Sequence, residues 1–346
     1  MHATPPSWVV TLRTLALGAG GAVLAWVLGL PVPILIGPAL AVSLAALAGV
    51  QAALSDRLRD GCFVVMGLGI GAGFDPNATA AILSWPLAFA ALAAGLLATM
   101  SLCRAVLTRG FGFDPTSALL ASAPGHLSFV LGLAADTGGD VGRVAVVQTI
   151  RLLALTVTVP FVALAMGIDM RGAVIEFGPP MVPWHLVLLI PAGILAGLAC
   201  TRLRLPAPML LGAMGVSAAT HATSLTPGAV PSGLMMPTFA VLGTLIGTRF
   251  SGMSLAQFRA ALAAGLITTA IAVAVAALIA LPVAAVLSMP AAQVLAAFSP
   301  GGLETMVALG AAMGASPGFV AACHFVRLMI LSLLIPLSLR RVRANA

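Results

Sequence analysis

The sequence predicts an all-α polytopic membrane protein built from two homologous halves, arranged as inverted repeats of about five spans plus one re-entrant hairpin each. Composition is the first reason. Of 346 residues, 61% are hydrophobic and 7% charged, whereas soluble domains carry roughly 25% charged residues. The second is a recurrence of apolar runs of about 20 residues, the length that crosses a hydrocarbon core of about 30 Å. The third is a duplication. Ala123–Arg151, APGHLSFVLGLAADTGGDVGRVAVVQTIR, returns 176 residues later as Ser299–Arg327, SPGGLETMVALGAAMGASPGFVAACHFVR.

Between Pro124 and Pro160, 13 of 37 residues are identical to their partners at that offset, with no gap. Gly67, Ile70, Gly71 and Phe74 meet Gly243, Ile246, Gly247 and Phe250, and LPVPILIG at 30–37 returns as LPAPMLLG at 205–212. Shared apolar composition yields chance Leu and Ala matches, but not Pro, Gly and Arg in one register. The chain therefore divides into a first membrane repeat, 1–170, and a second, 171–346. Expected spans in the first are 13–30, 33–50, 60–74, 79–103 and 143–166, with a further apolar segment, 116–135, broken by Pro124-Gly125. The second has 184–201, 207–224, 233–249, 260–287 and 318–339, with the broken segment at 292–313.

Orientation follows from arginine. The formal charge of +7 contains no lysine, and the positives are scattered over short loops, as cytoplasmic anchors are. If the broken segments span, the halves are parallel and loop arginines split nine to five between the two sides. If they return to the side they entered, the halves are inverted and the split is thirteen to one, Arg171 alone lying outside. The second arrangement is expected, with both termini cytoplasmic. An ordinary Pro-kinked spanning helix is the alternative for each break, but backbone groups freed in mid-membrane need protein or water around them.

The same charge excludes other classes. Direct nucleic-acid binding lacks a compact basic domain. Cys62, Cys103, Cys200 and Cys323 are isolated, and the histidines are scattered, so neither a metal site nor an oxygenase centre is expected. No cofactor is expected either, and no enzymatic activity. The glycines of MGLGIGAGF (Gly67, Gly69, Gly71, Gly73) read as close helix packing. Trp8, Trp26, Trp85 and Trp184 read as interfacial anchors, His185 and His221 as interface histidines, and Asp136 and Asp140 as loop residues.

Chemistry concentrates at the two breaks. Arg151 and Arg327 lie inside apolar helices at equivalent positions, where an arginine normally faces a cavity or a partner. The alternative is a structural arginine pinned to carbonyls. Gln148 precedes Arg151 by three residues as His324 precedes Arg327, so each pair shares a helix face. Glu304 lies well inside an apolar segment, as an ion-pair partner of an arginine, a proton carrier or a cation ligand. Its twin is Ser128, and the twin of His126 is Gly302. Helices starting after each Pro-Gly would direct N-terminal dipoles at an anion, as broken helices do in many secondary transporters. The expected substrate cradle is Pro124, Gly125, His126, Ser128, Gln148, Arg151, Ser299, Pro300, Gly301, Gly302, Glu304, Thr305, His324 and Arg327. The partners expected are the lipid bilayer, a small anionic solute and a coupling H+ or Na+; a homo-oligomer is the further one to look for.

PGHLSFV…Q-x-x-R…P and PGGLETM…H-x-x-R…P resemble the two signature copies of the AbrB-like membrane protein family, the duplicated membrane family of Gram-negative bacteria rather than the small soluble DNA-binding regulator. The resemblance covers essentially the whole chain. It implies an integral inner-membrane protein, with an effect on gene expression for some members; "ammonia monooxygenase" and "transcriptional regulator AbrB" are names in use. Two departures stand out. His126 replaces the second Gly of the first copy, with Phe129 where a Glu is expected, and Glu304 is shifted by one, with Thr305 in its usual place. A mechanism built on two symmetric carboxylates is therefore not expected. A membrane regulator that binds a ligand with the same fold and acts through a partner protein is the alternative to a transporter.

Overall fold

A computed structural model of the chain describes residues 6–74, 85–125, 127–168, 170, 179–203, 205 and 207–344. Among these the protein is helical, apart from one isolated bridge between Pro180 and Ala229. The first half supplies α1 (Trp8–Val27), α2 (Pro33–Leu47), α3 (Asp56–Gly71), α4 (Trp85–Phe111), α5 (Pro115–Ser122), α6 (Leu127–Thr137) and α7 (Val141–Ala165). The second supplies α8 (Pro183–Arg202), α9 (Pro208–Ala222), α10 (Ser232–Thr248), α11 (Leu255–Val286), α12 (Ala291–Phe298), α13 (Leu303–Ala312) and α14 (Pro317–Ala344).

Local chemistry starts these helices. The Ser7 and Ser55 hydroxyls accept from Val10 and Leu58 N–H, Asp114 caps α5 through Thr116 and Ser117, and Ser254 with Gln257 forms a capping box on α11. α2 and α9 begin in a less common way. Their N-caps, Val32 and Ala207, are both left-handed (φ 43° and 45°), each followed by proline at the first helical position. Proline disfavours the right-handed region for the residue before it, and the two copies of the LPxP motif adopt the same solution.

Six helices, α1, α4, α7, α8, α11 and α14, are long and apolar enough to cross a membrane. α2, α3, α9 and α10 have 15, 16, 15 and 17 residues, α2 and α9 being shorter than the expected spans at their places, and rise about 22–26 Å at 1.5 Å per residue. The two broken segments are each a pair of short helices, α5 with α6 and α12 with α13. The beginning of the expected span 79–103 lies outside the described residues; its helix, α4, runs on to Phe111.

The chain gathers into two compact units, and each draws on both sequence halves. The first comprises residues 1–83, 159–252 and 307–318, the second 84–158, 253–306 and 319–346. In the first unit α1 packs on α2 and α8 on α9, while α3 packs on α9 and α10 on α2. The contacts are reciprocal. A β-carbon on Gly67 would collide with the Leu210 carbonyl of α9, and one on Gly243 with the Leu35 carbonyl of α2. Gly71 and Gly247 repeat this one turn on, 2.5 Å from the Cβ atoms of Ser217 and Val42 respectively. Only glycine permits these backbone approaches, so the glycines of α3 serve packing, as expected. His221 is a core residue rather than an interface one. It is buried, with Nδ1 2.8 Å from the Ser217 carbonyl and Nε2 3.0 Å from the Gly228 carbonyl.

In the second unit α4 packs on α11, α5 on α4 and α12 on α11. Trp85 corrects the reading of four interfacial tryptophans. Trp8, Trp26 and Trp184 are exposed, but Trp85 is buried against Phe319, with ring centroids 5.3 Å apart, edge to face. At the edge of this unit Asp140 caps α7 through the Arg143 N–H, and Arg143 stacks 4.1 Å over the Phe113 ring.

Candidate functional site

Both breaks, at Pro124-Gly125 and at Pro300-Gly301-Gly302, and both buried arginines belong to the second unit. Each break has the same construction. α5 ends at Ala123 and α12 at Ser299, both extended C-caps (ψ 119° and 132°). A helix leaves C-terminal carbonyls without partners and with partial negative charge, which in an apolar surrounding must be met by other groups.

The arginines meet them. Arg151 donates from Nη2 to the Ala123 carbonyl at 3.0 Å and to the Gln148 side-chain oxygen. Gln148 in turn donates to the Leu120 and Ala123 carbonyls at 3.0 and 2.9 Å. Arg327 donates from Nη1 to the Ser299 carbonyl and from Nη2 to the Gly301 carbonyl, both at 2.6 Å. In the duplicated register Ala123 corresponds to Ser299 and Arg151 to Arg327, so one bond is made twice. Charge-assisted bonds of this kind contribute about 1.5–3 kcal/mol each.

This arrangement corrects two expectations. The guanidinium fork of Arg327 is engaged by its own chain and is not open for two-pronged binding of a carboxylate. Glu304 pairs with neither arginine: among the described residues the ion pairs are those of Arg59 with Asp56 and Asp60. Arg151 and Arg327 are 4% and 1% exposed, so each remains a buried cation donating to neutral oxygens. The Nε of Arg327 is buried without an acceptor.

The two breaks meet. A β-carbon on Gly125, itself at φ +93°, would lie 3.6 Å from Nε and Nη2 of Arg327. Pro124, Pro300 and Arg327 line one cavity of about 20 Å³, room for roughly a single water. Its remaining wall is Phe298 together with Leu92, Gly95, Leu96 and Thr99 of α4 and Ala272, Ala276 and Ile279 of α11. These were not anticipated. They recur at helical spacing, but α4 and α11 are apolar all round, so no face stood out in the sequence.

The other expected residues are placed as follows. Ser299 and Gly301 hold Arg327, and Gln148 and Arg151 hold the end of α5. Gly302 accepts from Met306 N–H at the start of α13, and Glu304 and Thr305 sit in that first turn, Thr305 fully buried. His324 is fully buried on α14, with Nδ1 2.9 Å from the Val320 carbonyl and Nε2 without a partner. Ser128 lies in the first turn of α6, and His126 lies outside the described residues. Neither Glu304 nor His324 forms part of the cavity wall.

Comparison with known proteins bears on the whole chain. The family model described as "Transition state regulatory protein AbrB" matches residues 34–343. A protein of Escherichia coli (strain K12) named "Putative regulator AbrB" is 26% identical over 325 residues, covering 92% of each chain. "Uncharacterized protein YhjN" of Bacillus subtilis (strain 168) is 25% identical over 252 residues, 67% of this chain and 64% of that one. No solved structure matches.

Proposed function

The chain belongs to the AbrB membrane family, and on that premise we propose that it is a secondary transporter of a small anionic solute rather than an enzyme. Its ten spans form inverted repeats in the cytoplasmic membrane, with both termini inside and the broken segments as re-entrant hairpins. The observation that carries this reading is Arg327: a cation buried at the meeting point of two helix breaks and lining a small cavity, paired with no carboxylate and with its Nε unpartnered. α6 and α13 begin at the same breaks, and helix N-termini favour anions. A cavity of about 20 Å³ is too small for phosphate, so this conformation is the closed one and loading requires the site to open.

The test is exchange in proteoliposomes. Vesicles holding the purified protein are loaded with inorganic phosphate, sulfate or succinate and assayed for uptake of the labelled anion. Exchange by the wild type that falls at least about tenfold in a folded Arg327→Lys variant supports the reading, because a compact ammonium does not reproduce the planar fork that spans two carbonyls and keeps a third edge free. Full exchange in that variant sinks it.

The second reading is a membrane regulator that binds a ligand without net transport and acts through a partner protein. The name of the Escherichia coli relative favours it. Saturable anion binding with no exchange at all would select it.

A further inference from the structure

The duplicated register places an imidazole where the other copy has an amide. Gln148 and His324 are twins, each three residues before the buried arginine of its helix. In the first copy the amide is fully used: Nε2 donates to two carbonyls and Oε1 accepts from Arg151. In the second, His324 Nδ1 lies 2.9 Å from the Val320 carbonyl. A carbonyl only accepts, so Nδ1 carries the hydrogen and the neutral ring has a bare lone pair at Nε2. That atom is buried with no partner, in a residue 0% exposed. An unmet buried acceptor is unfavourable. A proton turns Nε2 into a donor, the role that Gln148 Nε2 has in the first copy, at the cost of a buried charge.

We propose that His324 is the proton-binding site of this protein and that the anion and the proton load together, making it a proton–anion symporter. The inference rests on the transporter reading above. The charged and titratable groups around His324 set the coupling. Arg327 stands one turn further along the same helix, and Cys323 is adjacent in sequence. Arg151 on α7 and Glu304 on α13 bear on Arg327 in turn. A second cation beside Arg327 is opposed by like-charge repulsion while no carboxylate pairs with it. An anion at the cavity removes that opposition. By reciprocity the protonated ring strengthens anion binding by the same factor. The proton is taken from water on the side where the anion enters and released to water on the side where it leaves.

The experiment uses the full chain in vesicles containing a pH-sensitive dye, with inward gradients of inorganic phosphate, sulfate or succinate. His324→Gln installs the residue of the twin position. Expected is wild-type acidification of the lumen with anion entry. In His324→Gln, the acidification per labelled anion taken up falls about tenfold or more. Wild-type acidification in His324→Gln overturns the proposal. So does its loss in Glu304→Gln with retention in His324→Gln, which would assign the proton to the carboxylate. If the wild type moves none of the three anions, the transporter reading fails on its own. The proton site is then judged by 15N-histidine NMR of the purified protein, the His324 signal being the one missing from His324→Gln. A ring with Nδ1–H that gains a proton at Nε2 as the pH is lowered upholds the site, and a ring that stays neutral for as long as the protein is folded overturns it.

Discussion

The guanidinium of Arg327 lies against Gly125, 3.6 Å from the place a β-carbon would occupy on that glycine. An arginine that closes the end of α12 in the second repeat therefore touches the break of the first. Gly125 is also left-handed at φ +93°. Gly125→Ala should destabilise the protein by about 1–2 kcal/mol from backbone strain alone and alter any ligand affinity of the cavity. Thermal unfolding in detergent, with anion protection as the second readout, checks both; unchanged values in the two would remove Gly125 from the site.

Arg327→Ala leaves the Ser299 and Gly301 carbonyls without their donor in a buried place. The loss expected is about 3–5 kcal/mol, as for breaking other buried charged contacts. Arg327→Lys should lose less, about 1–3 kcal/mol, since one ammonium replaces a two-pronged donor. Arg151→Lys should behave like Arg327→Lys because the twin carbonyl bond is the same. Equilibrium unfolding of the three variants measures this ordering.

Glu304 makes no ion pair with Arg327, so the double change Glu304→Gln with Arg327→Gln should not rescue the single arginine change. A double-mutant cycle on stability is expected to give a coupling of about 0.5–1 kcal/mol, the influence of a nearby charge without a direct ion pair. A coupling of several times that would establish an electrostatic pair that the side-chain geometry does not show.

Gly67→Ala and Gly243→Ala should each cost about 1–3 kcal/mol, the usual range for overpacking, because both β-carbons meet a backbone carbonyl that cannot step aside. Gly61→Ala, in the same helix as Gly67 but with nothing within 4 Å, should be neutral or stabilise by about 0.5–1 kcal/mol. Equal effects at all three positions would contradict the reciprocal packing of α3 and α10.

Topology is testable independently of side-chain detail. Reporters fused after Arg109 and after Arg259 are expected in the cytoplasm, and one after Glu176 in the periplasm. A cytoplasmic reporter at Glu176, with one after Arg259 outside, would replace inverted repeats by parallel ones.

Much of this architecture is written in the chain. Low charge and long apolar runs dictate membrane helices, since lipid satisfies no backbone group and helices satisfy their own. The Pro-Gly and Pro-Gly-Gly interruptions mark where α5 and α12 stop, because proline cannot continue a helix and glycine allows the chain to turn. The 176-residue register identifies Arg151 and Arg327 as equivalent before any contact is known. Tertiary structure decided what those arginines touch. Sequence leaves a carboxylate, an anion and a backbone carbonyl as equal candidates, since all accept from a guanidinium; only the folded path of the chain brings Ala123 and Ser299 within reach and leaves Glu304 unpaired. It also decided which residues share a compact unit. Helix periodicity tells how one helix presents a face, but in α4 and α11 every face is apolar. The cavity wall of Leu96, Thr99, Ala272 and Ala276 therefore exists only through the packing of one helix against another.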